Sequence, residues 1–328
     1  MPSISWWRSN GFILGLLAAV ALGLLFPAPG ARGGALHPDL INNGGIALIL
    51  FVQGLSLALE KIKSGAGNWR LHVVIQGCTF VVFPLVGLAV NAVLPWFWSA
   101  PPPAVRDGFL YLCVLPSTIS TSVVLTAVAR GNTVGALFNA ALSNILGVLL
   151  TPVLVHVLMR ATGQSAPFAP LLLKITLLTL VPFALGMLLR PRVQVWVDAH
   201  KPWIARICNA VILFIVYTAF CDSMQERIWS RYGAGLTLRT GALVLALFVG
   251  MSLLIFATCR VLRFNREDFI AAYFCSVKKT LAMGVPLAML IFGARSDLSL
   301  ILLSIMFYHP LQLFINGLLA DRWAKQAN

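Results

Sequence analysis

The sequence predicts an all-α polytopic membrane protein of ten transmembrane helices, and three observations support this fold class. First, 59% of the 328 residues are apolar, the mean hydropathy is +0.89 and only 10% are charged, whereas about a quarter of a soluble domain is charged. Second, the apolar residues form long runs. Third, two runs carry polar interruptions at matching places. This composition excludes a soluble enzyme, a disordered chain and a secreted disulfide scaffold.

Ten apolar runs are about 18 residues or longer, which is enough to span a bilayer as a helix. They lie approximately at residues 11–27, 40–60, 71–94, 108–129, 132–159, 170–189, 205–223, 238–262, 268–293 and 297–320. The gaps between them are too short for a soluble domain. The first run is interpreted as a mature helix and not as a cleaved signal peptide, because its removal would leave an uneven nine.

The positive charge predicts an orientation. The formal net charge is +14, and Lys and Arg occur singly or in small groups between the runs, so the chain has no nucleic-acid footprint. With the N-terminus inside, fourteen Lys and Arg fall on the inner side and seven on the outer side. This bias predicts that both termini are cytoplasmic. Tryptophans cluster near the ends of the runs, as in an interfacial aromatic belt.

The ten runs divide into two halves of five, residues 1–160 and 161–328. In each half the fourth run is interrupted by polar residues, at 116–122 and at 275–280. The centres of the two interruptions lie at the same distance from the start of their halves. Because five is an odd number of crossings, the halves are expected to have inverted topologies, which is a frequent layout of secondary transporters.

The interruptions predict a binding site at the membrane midplane. Polar side chains and a broken backbone survive there only when they are buried in protein or line a wet cavity. The candidate residues are Ser117, Thr118, Ser120, Thr121, Ser122, Ser276, Lys278, Lys279 and Thr280, with Gln76, Asn139, Ser143, Asn144 and His309 on neighbouring runs. A Ser/Thr-rich packing interface and a lysine that only caps carbonyls are the structural alternatives. For His309, a hydrogen bond at the Pro310 kink is favoured over a proton relay.

Several stretches resemble the bile acid:sodium symporter family, in particular its bacterial branch related to member seven of solute carrier family ten. They are 53–57, 68–72, 115–126, 278–286 and 308–313. The resemblance implies two inverted five-helix repeats. It also implies a core domain of helices three to five and eight to ten, a panel of helices one, two, six and seven, and broken fourth and ninth helices that cross.

The resemblance further implies sodium ligands on Ser120, Thr121 and Ser122, with polar fifth-helix residues corresponding to Asn139, Ser143 and Asn144. The ninth helix departs from the family pattern, because no carboxylate remains there and Lys278 and Lys279 stand beside the break. An ammonium beside a cation site is electrostatically unfavourable. We therefore expect a lysine amine to take the place of an ion. Coupling is then to protons or absent, and sodium coupling is doubtful.

The function expected from these features is secondary transport of a small organic anion across a bacterial inner membrane. The lipid bilayer and the anion are the expected partners; the oligomeric state stays open. Two alternatives remain: a membrane regulator of ion or envelope homeostasis that transports nothing, and an intramembrane hydrolase using Ser120 with Lys279. The second is disfavoured because the chain has no Gly cluster of the oxyanion-hole type.

Overall fold

The computed structural model describes residues 4–56, 67–161 and 168–326, with side chains at 11–56, 67–158, 177–227 and 235–326. Within these ranges the chain is helical and has no strand. The helices are α1 Ile4–Leu25, α2 Pro38–Leu55, α3 Trp69–Gly77, α4 Phe83–Phe97, α5 Pro103–Val114, α6 Ser120–Val128, α7 Thr133–Ala161, α8 Phe168–Gln225, α9 Ile228–Val261, α10 Arg266–Ser276, α11 Leu281–Phe292 and α12 Leu298–Lys325. A π-helical turn, Cys78–Val82, joins α3 to α4.

The described parts of the apolar runs are largely helical, although runs and helices do not correspond one to one. The chain is an integral membrane protein. Six helical stretches of the described residues are long and apolar enough to cross a membrane, at 69–97, 133–158, 177–225, 235–261, 266–292 and 298–325; a shorter apolar helix covers 11–25. Neither α5 nor α6 reaches that length, because a break separates them. Residues 57–60 of the second run, together with Lys61 and Lys63 of the charge argument, lie outside the described residues.

Helix α8 differs from the prediction, because the sixth and seventh runs belong to one helical element and residues 190–204 are not a loop. Gly45 and Gly54 of α2 are nine residues apart, about 13 Å along a helix. They pack against Val211 and Phe183 of α8, which would lie about 42 Å apart if α8 were straight. The helix therefore bends sharply between these contacts, where it contains Pro191 and Pro202, and both arms lie against α2.

Three helix N-termini meet at one carboxylate. Asn68, Asn132 and Asn265 each accept a backbone N–H at the start of α3, α7 and α10. Each of these asparagines also donates its Nδ2 to the carboxylate of Asp268, over 2.8, 2.7 and 3.2 Å. The negative charge also suits helix N-termini. Asp268 thus fixes the relative positions of the three helices that carry or flank the candidate site.

Replacing Asp268 by alanine is expected to destabilise the protein, because it removes three hydrogen bonds to a charged acceptor. At about 1.5–3 kcal/mol for each such bond, partial exposure still leaves a loss of about 2 kcal/mol or more. The measurement is the melting temperature in detergent. Asp321→Ala, an exposed carboxylate near the end of α12, is the control and should melt like the wild type. Equal melting of both variants would contradict this role.

Candidate functional site

The chain leaves helical conformation between α5 and α6, at residues 115–119, and between α10 and α11, at residues 277–280. Both breaks fall at the polar interruptions of the sequence. They touch, because the backbone N–H of Thr280 donates to the carbonyl of Pro116 over 3.0 Å. We call these two touching segments the crossing. Helices α6 and α11 both begin there, so two positive helix N-termini lie at the crossing.

The first break has a local cause. Pro116 has no N–H and disfavours helical conformation at the preceding residue, and Leu115 is extended, with φ −68° and ψ 147°. The proline ring packs against α7 at Gly147, where a Cβ would overlap it. Ser143 on α7 accepts the N–H of Ser117 over 3.0 Å. Asn144 donates to the carbonyl of Ser117, also over 3.0 Å.

The second break contains neither proline nor glycine, and hydrogen bonds from α12 hold it open. Gln312 accepts the N–H of Lys279 and donates to its carbonyl, both over 2.8 Å. Tyr308, one turn earlier, donates its hydroxyl to the carbonyl of Val277 over 2.5 Å. The side chains of α12 therefore replace the bonds that a continuous helix would have made.

Lys279 turns into the protein and is fully buried. Its ammonium donates to the carbonyls of Leu115, Cys113 and Thr79 over 2.8, 3.0 and 3.2 Å, and lies 4.0 Å from the ring centre of Phe83. The first two carbonyls belong to the end of α5, where helical acceptors lack partners and the dipole attracts a cation. All three donor positions of the ammonium are therefore used. We call this arrangement the lysine cradle.

The third carbonyl of the cradle is free because of the π-helical turn. Phe83 donates its N–H to the carbonyl of Cys78, five residues back, so Thr79 does not receive the bond of a regular helix. Pro84 follows directly and has no N–H to offer. Lys279 supplies the missing donor. A local irregularity between α3 and α4 thus completes a site formed mainly by the first break.

Lys278 behaves in the opposite way. It is fully buried, and its Nζ has no hydrogen-bond partner among the described residues. His309 lies on α12, three residues before Gln312, which binds Lys279. His309 bonds to Gln312 through its Nδ1, over 3.2 Å, and its ring meets Phe12 of α1 edge-on at 6.0 Å between centres. The two lysines therefore occupy different surroundings.

The predicted sodium ligands do not all lie together. The hydroxyl of Thr118 contacts those of Thr121 and Ser122 over 2.8 and 3.0 Å, and Ser122 donates to the carbonyl of Phe274 over 3.1 Å. Ser120, at the start of α6, is exposed. The sequence places no Asp or Glu at residues 108–197 or 269–296, so the carboxylates of the broken helices, Asp107, Glu267 and Asp268, lie toward the helix ends away from the two breaks.

Gln76 and Asn139 form a separate group between α3 and α7. Gln76 donates to the carbonyl and the side-chain oxygen of Asn139, over 3.0 and 3.2 Å. The Nδ2 of Asn139 contacts Nδ1 of His72 over 2.9 Å. These contacts link α3 to α7, whereas Ser143, one turn along α7, binds the crossing directly. Asn139 and Ser143 lie on one face of α7, but Asn139 binds α3 and Ser143 binds the crossing.

Four residues that support the site were not among the predicted ones. Gln312 and Tyr308 bond to the second break, Thr151 donates to the carbonyl of Val114 over 3.0 Å, and Tyr111 donates to the carbonyl of Gly284 over 2.5 Å. All four are buried. A tyrosine inside an apolar run carries a hydroxyl that needs a partner, and this signal was available in the sequence.

A second group of contacts, far from the crossing, ties three segments together. Arg32, between α1 and α2, donates its backbone N–H to Asp222 near the end of α8 over 2.9 Å and pairs with it through Nε at 3.4 Å. Its guanidinium also donates to the carbonyls of Gly293 and Ala294 at the end of α11. We call these contacts the Arg32 clasp.

These features define a helical membrane protein with two broken helices that meet, the architecture of many secondary transporters. The sequence model of the SBF-like CPA transporter family matches residues 10–325, and the chain belongs to this family. The resemblance predicted from the sequence is thereby confirmed.

Several relatives cover nearly the whole chain. An uncharacterized protein of Pseudomonas aeruginosa is 37% identical over 321 residues, 97% of this chain and 93% of the relative. The putative symporter YfeH of Escherichia coli is 35% identical, over 96% and 93%. Sodium/bile acid cotransporter 7 of Rattus norvegicus is 30% identical, over 95% and 92%. The family is one of transporters, which supports a transporter and not an intramembrane hydrolase.

Proposed function

We propose that this protein is a secondary transporter of a small organic anion that works by alternating access and does not couple transport to sodium. The lysine cradle is the observation that carries the proposal. Three carbonyl oxygens at 2.8–3.2 Å surround the ammonium of Lys279, as oxygen ligands surround a bound cation. The chain's own cation fills that position, so no sodium ion is needed there to hold the crossing together.

The ten-helix arrangement in two inverted repeats, residues 1–160 and 161–328, is part of this proposal. The pattern of clamps supports it. In each half, side chains of the fifth predicted span hold the break of the fourth: Ser143 and Asn144 bind Ser117, and Gln312 binds Lys279. In both halves, the helix that follows the break supplies side-chain hydrogen bonds to the backbone groups that the break leaves without helical partners.

Alternating access follows from how the helices are grouped. Helices α1 and α2 pack on α8, which corresponds to the panel implied by the family resemblance. The broken helices and α12 form the opposing core, fixed by the crossing and by Asp268. Transport then consists of the core moving against the panel, with the substrate bound between them. We place the protein in the bacterial inner membrane with both termini in the cytoplasm.

An organic anion is the expected substrate because the crossing carries positive charge. Two helix N-termini and the unpartnered ammonium of Lys278 lie there, while the sequence places no carboxylate in the broken helices beyond their ends. A cation would be repelled from this region, and an anion attracted to it. A proton remains the candidate coupling ion.

Proteoliposome flux tests both parts of the proposal. Purified wild-type protein should take up a radiolabelled organic anion from a panel of mono- and dicarboxylates equally well with sodium or with choline outside. Thr121→Ala should change uptake little, whereas Lys279→Ala should abolish it. Sodium-dependent uptake that is lost in Thr121→Ala but kept in Lys279→Ala would overturn the proposed coupling. Silence across the panel, with sodium and proton gradients, would favour the non-transporting regulator.

A further inference from the structure

The segment that joins the two arms of α8 lies at the end of the molecule where α2 ends. We call residues 191–203 the connector. Arg190, directly before it, donates to the carbonyl of Leu55, the last residue of α2. Arg190 also pairs with Asp198 at 3.6 Å, although eight residues would cover about 12 Å of a straight helix. This contact fits a bend at Pro191, and the connector therefore lies beyond the end of α2.

One face of the connector is apolar and open to its surroundings. Val195 is 80% exposed, Trp196 59% and Trp203 64%. Together with Ala199, which is also exposed, these residues are spaced so that they share one face of a helix. Val197, on another face, is only 3% exposed and packs into the protein. An exposed apolar face with two tryptophans marks a surface that meets a partner or a membrane.

A stacked neighbour holds Trp196 on this face. The ring of His200, one turn later, lies 4.6 Å from the ring of Trp196 between centres, with 23° between the two planes. The Nδ1 of His200 donates to the carbonyl of Trp196 over 2.8 Å, which fixes the imidazole ring. The indole is thus held outward. A tryptophan in this position, with an apolar body and one polar N–H, suits the boundary between water and lipid.

The charges around the apolar face are basic. Residues 187–210 contain four cations, Arg190, Arg192, Lys201 and Arg206, and one carboxylate, Asp198. Asp198 is already paired with Lys201 at 2.9 Å and with Arg190. Arg192 and Arg206 are exposed and belong to no ion pair among the described residues. By helical spacing, they continue the apolar face at its two ends.

Charge decides between lipid and a second copy of the chain as the partner of this face. Two copies that met through their connectors would bring the arginines at the ends of one face against those of the other, whether the helices ran parallel or antiparallel. Like charges in contact repel each other. An anionic leaflet offers phosphates to the arginines and an apolar interior to the tryptophans, which is the pattern of an interfacial helix.

We propose that the connector is an interfacial helix that binds anionic phospholipid. Arg192 and Arg206 contact lipid phosphates, and Trp196 and Trp203 insert between the head groups and the first acyl carbons. This inference goes beyond the transport function and does not depend on it. Because both arms of α8 lie against α2, lipid bound to the connector holds α2 and α8 at a fixed depth in the bilayer.

Lipid binding to the purified full-length protein tests the charge. In detergent, native mass spectrometry counts the bound molecules of dioleoylphosphatidylglycerol, which is anionic, and of dioleoylphosphatidylcholine, which is not. The double variant Arg192→Gln, Arg206→Gln should reduce the preference for the anionic lipid by about tenfold or more, since each basic residue near an anionic surface contributes roughly fivefold. The matched control, Arg260→Gln with Arg263→Gln, removes two exposed arginines at the end of α9 and should keep the preference. An equal loss in both double variants, or no preference in the wild type, would overturn the proposal.

Fluorescence quenching tests the insertion of the tryptophans. In nanodiscs of phosphatidylglycerol brominated in the acyl chains, the emission lost on changing Trp196→Phe and Trp203→Phe together should be quenched to less than half of its value in unbrominated lipid. Trp98→Phe, which removes a buried indole, is the control, and the emission lost there should be quenched far less. Unquenched emission from Trp196 and Trp203 would show that they face water and would overturn the proposal. Melting curves without added lipid establish that each variant is folded.

Two further measurements exclude other partners of the same face. Glycerophosphoglycerol, the head group without acyl chains, should not raise the melting temperature at concentrations at which phosphatidylglycerol does; an equal rise would mean a phosphate site without membrane insertion. The protein should have the same oligomeric state in nanodiscs before and after Trp203→Asp. A dimer that this substitution converts to a monomer would mean that a second copy covers the face, and would overturn the proposal.

Discussion

Lys279→Met is expected to lower the melting temperature strongly and to abolish transport. Methionine fills a similar volume but leaves the carbonyls of Leu115, Cys113 and Thr79 without a donor. A buried acceptor that loses its partner costs about 1–3 kcal/mol, so the free energy of unfolding should fall by about 3 kcal/mol or more. Thermal unfolding in detergent, followed by circular dichroism, measures this loss.

The neighbouring lysine provides the control. Lys278→Met removes a buried ammonium that has no partner, and is therefore expected to leave the melting temperature unchanged or to raise it. The two variants delete the same chemical group at adjacent, equally buried positions, so their difference isolates the three carbonyl contacts. Equal losses of stability in both variants would show that the cradle contributes nothing specific.

The two breaks show how much of the candidate site can be predicted from the sequence. Pro116 and the Ser/Thr run mark the first break through local chemistry, and two charged residues inside an apolar run mark the second. Such local patterns do not show which residues, distant in the sequence, form hydrogen bonds with the two breaks. Gln312 binds the backbone of Lys279 from 33 residues away, and the free carbonyl of Thr79 depends on a π-helical turn 200 residues away in sequence.

At residues 190–204 the prediction from the sequence is wrong. Their charges and their position between two apolar runs predict a loop, but the segment stays helical within α8. Asp198 pairs with Lys201 at 2.9 Å, three residues along the same helix, and with Arg190 at 3.6 Å. The spacing of three residues between Asp198 and Lys201 stabilises a helix. Polarity alone thus locates the end of an apolar run, and the helix itself can continue beyond it.

Loss of the Arg32 clasp is expected to expose the face of the protein where α8 and α11 end. The clasp joins the loop before α2 and the end of α8 to the end of α11. Opening of this face requires these contacts to break. Arg32→Ala removes the guanidinium contacts to both partners, while the backbone N–H that binds Asp222 remains. For half-exposed charge-assisted hydrogen bonds, a net stabilisation of about 1–2 kcal/mol corresponds to a shift of about tenfold in the open population.

Cys221 is a native reporter of how firmly the clasp holds the loop before α2 against α8, because its thiol contacts the carbonyl of Phe26 and lies against Gly30 of that loop. It is fully buried next to Asp222, and its thiol is free. In proteoliposomes, a maleimide that does not cross membranes should label Cys221 about tenfold faster in Arg32→Ala than in the wild type, as measured by mass spectrometry of the peptide. Asp222→Asn should give a smaller increase, because the carbonyls of α11 still hold Arg32.

Arg239→Ala is the matched control for the clasp, because it removes an exposed arginine that stacks on Trp98 at 5.5 Å and contacts neither Asp222 nor α11. Its labelling rate should equal that of the wild type. Higher salt should accelerate labelling of the wild type more than of Arg32→Ala, since salt weakens the exposed ion pair. If Arg32→Ala labels no faster than Arg239→Ala, the clasp does not hold this face closed.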